Sequence, residues 1–141
     1  MDKKMCVFGV HGGCLCGKIR YRLELDGAEV VDTCHCSACR RASGAPMTAW
    51  AQVAPAKFAL LQGSPRGYES SPGTRRWFCP DCGAQLYMTD ADGRSVGVTL
   101  GTLDEPGSVR PTVHGWTAER VGWLALADGL PEFPGAPPYD L

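Results

Sequence analysis

An all-β fold of short strands is predicted by three features of this sequence. Apolar and polar residues alternate in brief runs rather than at helical spacing, and 18 glycines and 11 prolines punctuate a chain of 141 residues. Seven of the eight cysteines fall in three tight groups at the ends of those runs: Cys14-Leu15-Cys16-Gly17, Cys34-His35-Cys36-Ser37-Ala38-Cys39 and Cys79-Pro80-Asp81-Cys82-Gly83.

Taken in order, Lys18 to Leu25 alternates without error. Ile19, Tyr21, Leu23 and Leu25 share one side and Lys18, Arg20, Arg22 and Glu24 the other, the pattern of a half-buried strand. Asp26-Gly27 turns the chain, and a short apolar step through Val30 and Val31 delivers the cysteine triple. Ala42 to Pro46 reads as a turn and Met47 to Val53 as a strand carrying Trp50, stopped by Pro55. Phe58 to Leu61 is a short strand, and Tyr68 to Ser70 pairs with Thr74 to Phe78 as a hairpin over Ser71-Pro72-Gly73. Gln85 to Thr89 and Ser95 to Leu103 form the next two strands, with Gly97 and Gly101 marking close approach by a backbone or a side chain such as a tryptophan. Val109 to Trp116 is a final strand holding His114, Glu119 to Ala127 one or two turns of helix, and the proline-rich tail 131–141 an extended or loosely docked segment.

The length suits one domain with one core over residues 1–141. A formal net charge of −1 gives no reason to expect a nucleic-acid or anionic-membrane surface. Met1 to Gly9 contains no apolar run long enough for a secretory signal, and no stretch approaches the ~20 apolar residues of a membrane span. The expected location is therefore the cytoplasm, where thiols stay reduced and metal is their ordinary use. Cys6, outside the groups, reads as a leftover terminal thiol.

Spacings of C-x-C and C-x-x-C in a reducing compartment favour metal over disulfides. Structural zinc takes four thiolates, whereas catalytic zinc keeps three protein ligands and an open position. Both cysteine pairs are followed by glycine, Gly17 and Gly83, which supplies the positive φ that a metal knuckle needs. Cys14, Cys16, Cys79 and Cys82 are accordingly assigned to one closed site. The triple is followed by Arg40 and Arg41, whose charge would lower thiol pKa values, so Cys34, Cys36 and Cys39 are assigned to a second, open site. A competing possibility makes both zincs structural, with His35 or His114 closing the second.

These residues carry a likeness to a known family. Gly13-Cys14-x-Cys16-Gly17, Cys34-His35-Cys36-Ser37-x-Cys39-Arg40, Phe78-Cys79-x-x-Cys82-Gly83, Gly101-x-Leu103-Asp104-x-Pro106 and Pro111-x-x-His114 resemble the glutathione-dependent formaldehyde-activating enzyme family, a group that includes the domain of centromere protein V. The resemblance spans about residues 9 to 133. It implies a β-tent fold of short antiparallel sheets with two Zn²⁺, a structural one on Cys14, Cys16, Cys79 and Cys82 and a catalytic one on Cys34, Cys36 and Cys39. It also implies a carbon-sulfur lyase activity, the condensation of glutathione with formaldehyde to S-hydroxymethylglutathione.

On this reading the partners are a small-molecule thiol and an aldehyde. Arg40 and Arg41 would steer an anionic thiol, with His35 and His114 as proton carriers; in the plainer alternative the arginines belong to a solvated face and the histidines are packed side chains. A non-catalytic zinc module is the competing class, for which Trp50, Trp77, Trp116 and Trp123 offer an aromatic surface, although core packing is their ordinary fate. Reduction of methionine sulfoxide, a chemistry found on the same fold, is set aside because it needs a redox cysteine outside the metal groups and none follows Cys82.

Overall fold

The alternation that begins at Lys18 is realised as strand β2 (Arg20–Leu25), whose Tyr21, Leu23 and Leu25 are buried together with Ile19 just before it. The computed structural model describes residues 7–139, so Cys6 lies outside the described residues. Strand β2 runs antiparallel between β1 (Phe8–Gly13) and β5 (Phe58–Gln62), forming a three-stranded sheet. A second sheet of seven strands has the order β10 (Val113–Gly115), β3 (Val31–Cys34), β4 (Thr48–Val53), β9 (Val96–Thr99), β8 (Gln85–Thr89), β7 (Thr74–Phe78) and β6 (Arg66–Ser71). All its pairs are antiparallel except β10 with β3.

The core joins the two sheets. Leu23 and Tyr21 of the small sheet cluster with Val31, Ala51, Val53, Leu86, Tyr87 and Val98 of the large one. A run of aromatic contacts crosses the layer: Tyr21 to Phe58 at 5.8 Å between centroids, Phe58 to Tyr87 at 4.7 Å, and Tyr87 to Trp77 at 5.7 Å. Such pairs contribute about 0.5–1.5 kcal/mol each beyond the area they bury.

Because side chains alternate across a strand, the register puts a different set on the opposite face of the large sheet. Asp32 lies beside Trp50, Gln52 and Met88 beside Gly97, and Arg76 beside Met88, while Cys34 follows Asp32 on the same side. Trp50, Cys34 and Cys39 form a second small cluster there, with Cys36 and Met88 against it. Gly97 explains itself in this row, since a Cβ would sit 3.2 Å from the Gln52 amide and 3.5 Å from the Trp50 ring. Gly101 does not, having open space around it.

The sequence expectations need correction at several places. Phe8–Gly13 is a strand that three glycines and a missing alternation concealed. The segment after the second cysteine of the triple is a helix, α1 (Ser37–Ser43), closed by Gly44 at φ 72, and it takes in Ala42 and Ser43, which had been read as the start of a turn. The strand expected from Ser95 to Leu103 ends at Thr99 and passes into a 3₁₀ turn, Leu100–Thr102. The final strand is confined to Val113–Gly115.

No helix forms over Glu119 to Ala127. A 3₁₀ turn covers Thr117–Glu119, and Arg120 then takes extended dihedrals. Backbone donors of this region go to the tail instead, Trp116 N–H to Gly135 O at 2.9 Å and Thr117 N–H to Phe133 O at 2.9 Å. The tail thus docks alongside β10, where His114 and Phe133 exchange N–H and C=O groups with the facing chain. Among the described residues no helix is long and apolar enough to cross a membrane.

Candidate metal centres

The first thiol group is assembled from two different sheets. Cys14 and Cys16 occupy the connection from β1 to β2, and Cys79 and Cys82 the connection from β7 to β8. Both connections fold as knuckles for the reason their glycines suggested: Gly17 has φ +79 and Gly83 φ +77. Gly17 N–H donates to Cys14 O at 3.1 Å and Gly83 N–H to Cys79 O at 2.8 Å, while Ile19 N–H points at the Cys14 sulfur at 3.2 Å. Lys18 and Asp81 pair across the two knuckles at 3.2 Å on the exposed side.

The four sulfurs lie within 4.8 Å of one another, with Cys14 to Cys16 at 3.5 Å and Cys16 to Cys79 at 3.8 Å. A tetrahedron with Zn–S bonds of about 2.3 Å has edges of about 3.8 Å. A disulfide needs ~2.05 Å, so these are free thiols at metal-ligand spacing. Donation from Ala84 N–H and Cys16 N–H pulls the Cys82 thiol down to about 6. The residues fit Zn²⁺.

The second group is built from one continuous piece of chain. Cys34 ends β3, Cys36 is the N-cap of α1, and Cys39 lies in its first turn, buried. A thiol here replaces the usual hydroxyl or carboxylate cap: Cys36 Sγ accepts from Cys39 N–H at 3.3 Å. Cys34 and Cys36 sulfurs are 3.3 Å apart and all three fall within 4.8 Å. Hydrogen bonds from the Cys34 and Cys39 thiols, then the N–H groups of Cys39 and Ala38, hold Cys36 far below the ordinary thiol range. The same sharing with Cys36 and Cys39, added to burial, pushes Cys34 up.

The cation beside these sulfurs is not the one expected from the sequence. Arg40 and Arg41 stand in the last turn of α1, where neither makes an ion pair among the described residues. Arg76 of β7 takes their place, its Nη1 and Nη2 at 3.6 Å and 3.7 Å from Cys39 Sγ and its Nε donating to Ser70 Oγ at 3.1 Å. It is 8% exposed. Only the strand register reveals it: Arg76 shares a sheet face with Met88 and Trp50, where an apolar residue would be ordinary.

The histidines fall elsewhere. Among the described residues no imidazole or carboxylate joins either thiol group. His35 is fully buried and its Nε2 meets Thr33 Oγ1 at 3.2 Å; Thr33 also meets His114 Nδ1 at 2.5 Å. Nε2 of His114 donates to the Asp128 carboxylate at 2.9 Å, which holds that carboxyl below its ordinary range. Burial lowers the His35 pKa and keeps the ring neutral. This chain Asp128, His114, Thr33, His35 ties the segment just before the tail to β10 and β3.

Comparison with known proteins is consistent with this geometry. A crystal structure of a Rhodobacter sphaeroides protein superposes with a TM-score of 0.55 at 27% sequence identity, over 72% of this chain and 91% of that one. A search of curated proteins gives no match. The model of the glutathione-dependent formaldehyde-activating enzyme family matches residues 9–119, a span containing both thiol groups, and the chain belongs to that family.

Proposed function

We propose that the protein joins a thiol such as glutathione to formaldehyde or a related small aldehyde, giving a hemithioacetal, and so acts as a carbon-sulfur lyase in the direction of synthesis. The observation that carries this reading is a thiol group of three, Cys34, Cys36 and Cys39, with no fourth donor among the described residues. Cys14, Cys16, Cys79 and Cys82 would hold one Zn²⁺ for structure and the triple a second for chemistry. A zinc bound by three thiolates supplies affinity for an outside sulfur and favours its ionised form.

The chain's own residues do the rest. Arg76 fixes Cys39 and offsets part of the negative charge of the sulfurs, and the N–H groups of α1 fix Cys36. The reaction is balanced without a redox partner. The thiol sulfur bonds to the carbonyl carbon, the C=O π pair moves to oxygen, and the proton lost from sulfur is regained at that oxygen. A cytoplasmic setting suits free thiols, and a near-neutral surface suits small-molecule partners rather than nucleic acid.

The test is S-hydroxymethylglutathione formation from glutathione and formaldehyde, followed by NMR with the two-zinc protein. Exchange faster than the uncatalysed reaction, abolished in Cys36→Ser, is the expected result; a rate equal to the buffer control overturns the reading. A second reading, a non-catalytic zinc module with both metals structural, is favoured by the exposure of Trp123 and Trp116, 76% and 37%. It predicts that glutathione leaves the spectrum of the cobalt-substituted triple unchanged.

A further inference from the structure

The seven-stranded sheet carries the cysteine triple on its outer face, and two clefts flank it there. One, about 240 Å³, is lined by Gln52, Met88 and Tyr139 together with the carboxylates of Asp90 and Asp92 and the guanidinium of Arg94. The other is about 500 Å³, in the ordinary range of small-molecule sites, and lies between the β6–β7 hairpin, α1 and the second knuckle. Its walls include Arg66, Tyr68, Arg76, Ala42, Gly83 and Gln85, and no acidic residue.

Three observations single out the larger cleft. Arg76 belongs both to its wall and to the metal centre, since the same guanidinium touches Cys39 Sγ, so the cleft begins where the triple ends. Arg66 is exposed and makes no ion pair among the described residues, leaving its charge available at the cleft. The Gln85 carboxamide, where this cleft meets an adjoining groove, has both its nitrogen and its oxygen without a hydrogen-bond partner. A buried amide with neither bond made is costly, and a peptide group of a ligand offers one donor and one acceptor to meet it.

We propose that this cleft receives the carboxylate-bearing arm of the thiol substrate, with Arg66 as the residue that selects an anionic, peptide-like thiol over a small neutral one. The inference rests on the reading that an outside thiol completes the triple, and it adds where the remainder of that molecule lies. Arg76, already held against Cys39, marks the sulfur end; Arg66 marks the carboxylate end. The opposite cleft, with its two aspartates, would repel the same arm.

S-methylglutathione separates the two claims, because it keeps both carboxylates and the peptide bonds but has no free thiol for the metal. Calorimetric titration of the zinc-loaded protein is expected to show binding that weakens ~10-fold or more in Arg66→Glu and is largely retained in Arg66→Lys. The shift that 2-mercaptoethanol causes in the cobalt-substituted triple should be the same in wild type and Arg66→Glu. No binding to wild type, equal binding to Arg66→Glu, or equal weakening of 2-mercaptoethanol would each overturn the assignment. Binding through Arg66 without turnover of glutathione would leave the cleft standing and remove the reaction. Turnover whose KM for glutathione is indifferent to Arg66→Glu would do the reverse.

Discussion

Arg76 shows how one side chain can act on a candidate metal centre without offering it a ligand atom. Its guanidinium is buried, is oriented by Ser70, and faces a sulfur instead of a carboxylate. Removing a partner of this kind from a metal ligand typically costs about 10–100-fold in metal affinity. Arg76→Met, which keeps the stem and loses the charge, should weaken zinc at the triple by that factor and leave the four-thiol centre unchanged, as measured by chelator competition on each site. Equal weakening of both would mean that the substitution acts through the fold. The two thiol groups themselves were legible in the sequence because cysteines at C-x-C and C-x-x-C spacing have few other uses than to be brought together. Arg76 was not, because its relation to Cys39 is made by strand register across 37 positions, and Arg40 and Arg41 were the nearer decoys.

At the scale of elements, the two thiol groups differ in what they connect. Cys14 and Cys16 lie in a connection of the small sheet and Cys79 and Cys82 in one of the large sheet, so a metal held there would clamp two layers. Cys34, Cys36 and Cys39 span the short passage from β3 into α1 on the outer face. Cys82→Ser should therefore cost several kcal/mol of stability, a drop of about 10 °C or more in Tm, whereas Cys36→Ser should lose one zinc with the melting curve little changed. Comparable melting of the two variants would contradict this division. A second link between elements is electrostatic: Arg20 of β2 donates to both oxygens of Asp104, beyond the 3₁₀ turn that follows β9. The Asp104 carboxyl is held below its ordinary value by this pair. A depressed folded-state pKa stabilises the protein above the unfolded value, about 3.9, and loses that effect as pH falls through the folded one. Urea unfolding of wild type and Asp104→Asn should thus differ near neutrality and converge as the pH drops below ~4, the shared loss of zinc cancelling in the comparison. Strands whose alternation was clean, such as β2, were readable in advance. Strand β1, with glycine at three of its six positions, and α1, whose N-cap is a cysteine, gave no ordinary signal for their type.

For the molecule as a whole, the sheets explain why one metal should be separable from the other. The first centre sits where the layers meet, with Cys14 and Cys79 belonging to the same buried cluster as Tyr21 and Leu86. The second has its own small cluster, Cys34, Cys39 and Trp50, away from the layer interface. A metal lost from the second group should leave the inter-sheet core and its aromatic contacts intact. A metal lost from the first would remove a crosslink between segments 63 positions apart in sequence, as the Cys16 to Cys79 contact measures. Stepwise treatment of the zinc protein with a chromogenic chelator should then release metal in two phases. The first equivalent should leave without change in far-ultraviolet circular dichroism, taking with it the response to glutathione. The second should leave together with the β signal, since a structural zinc contributes its binding energy directly to folding. Release in a single phase coupled to unfolding would mean that both metals hold the fold, and the triple would then have to be read as a structural site.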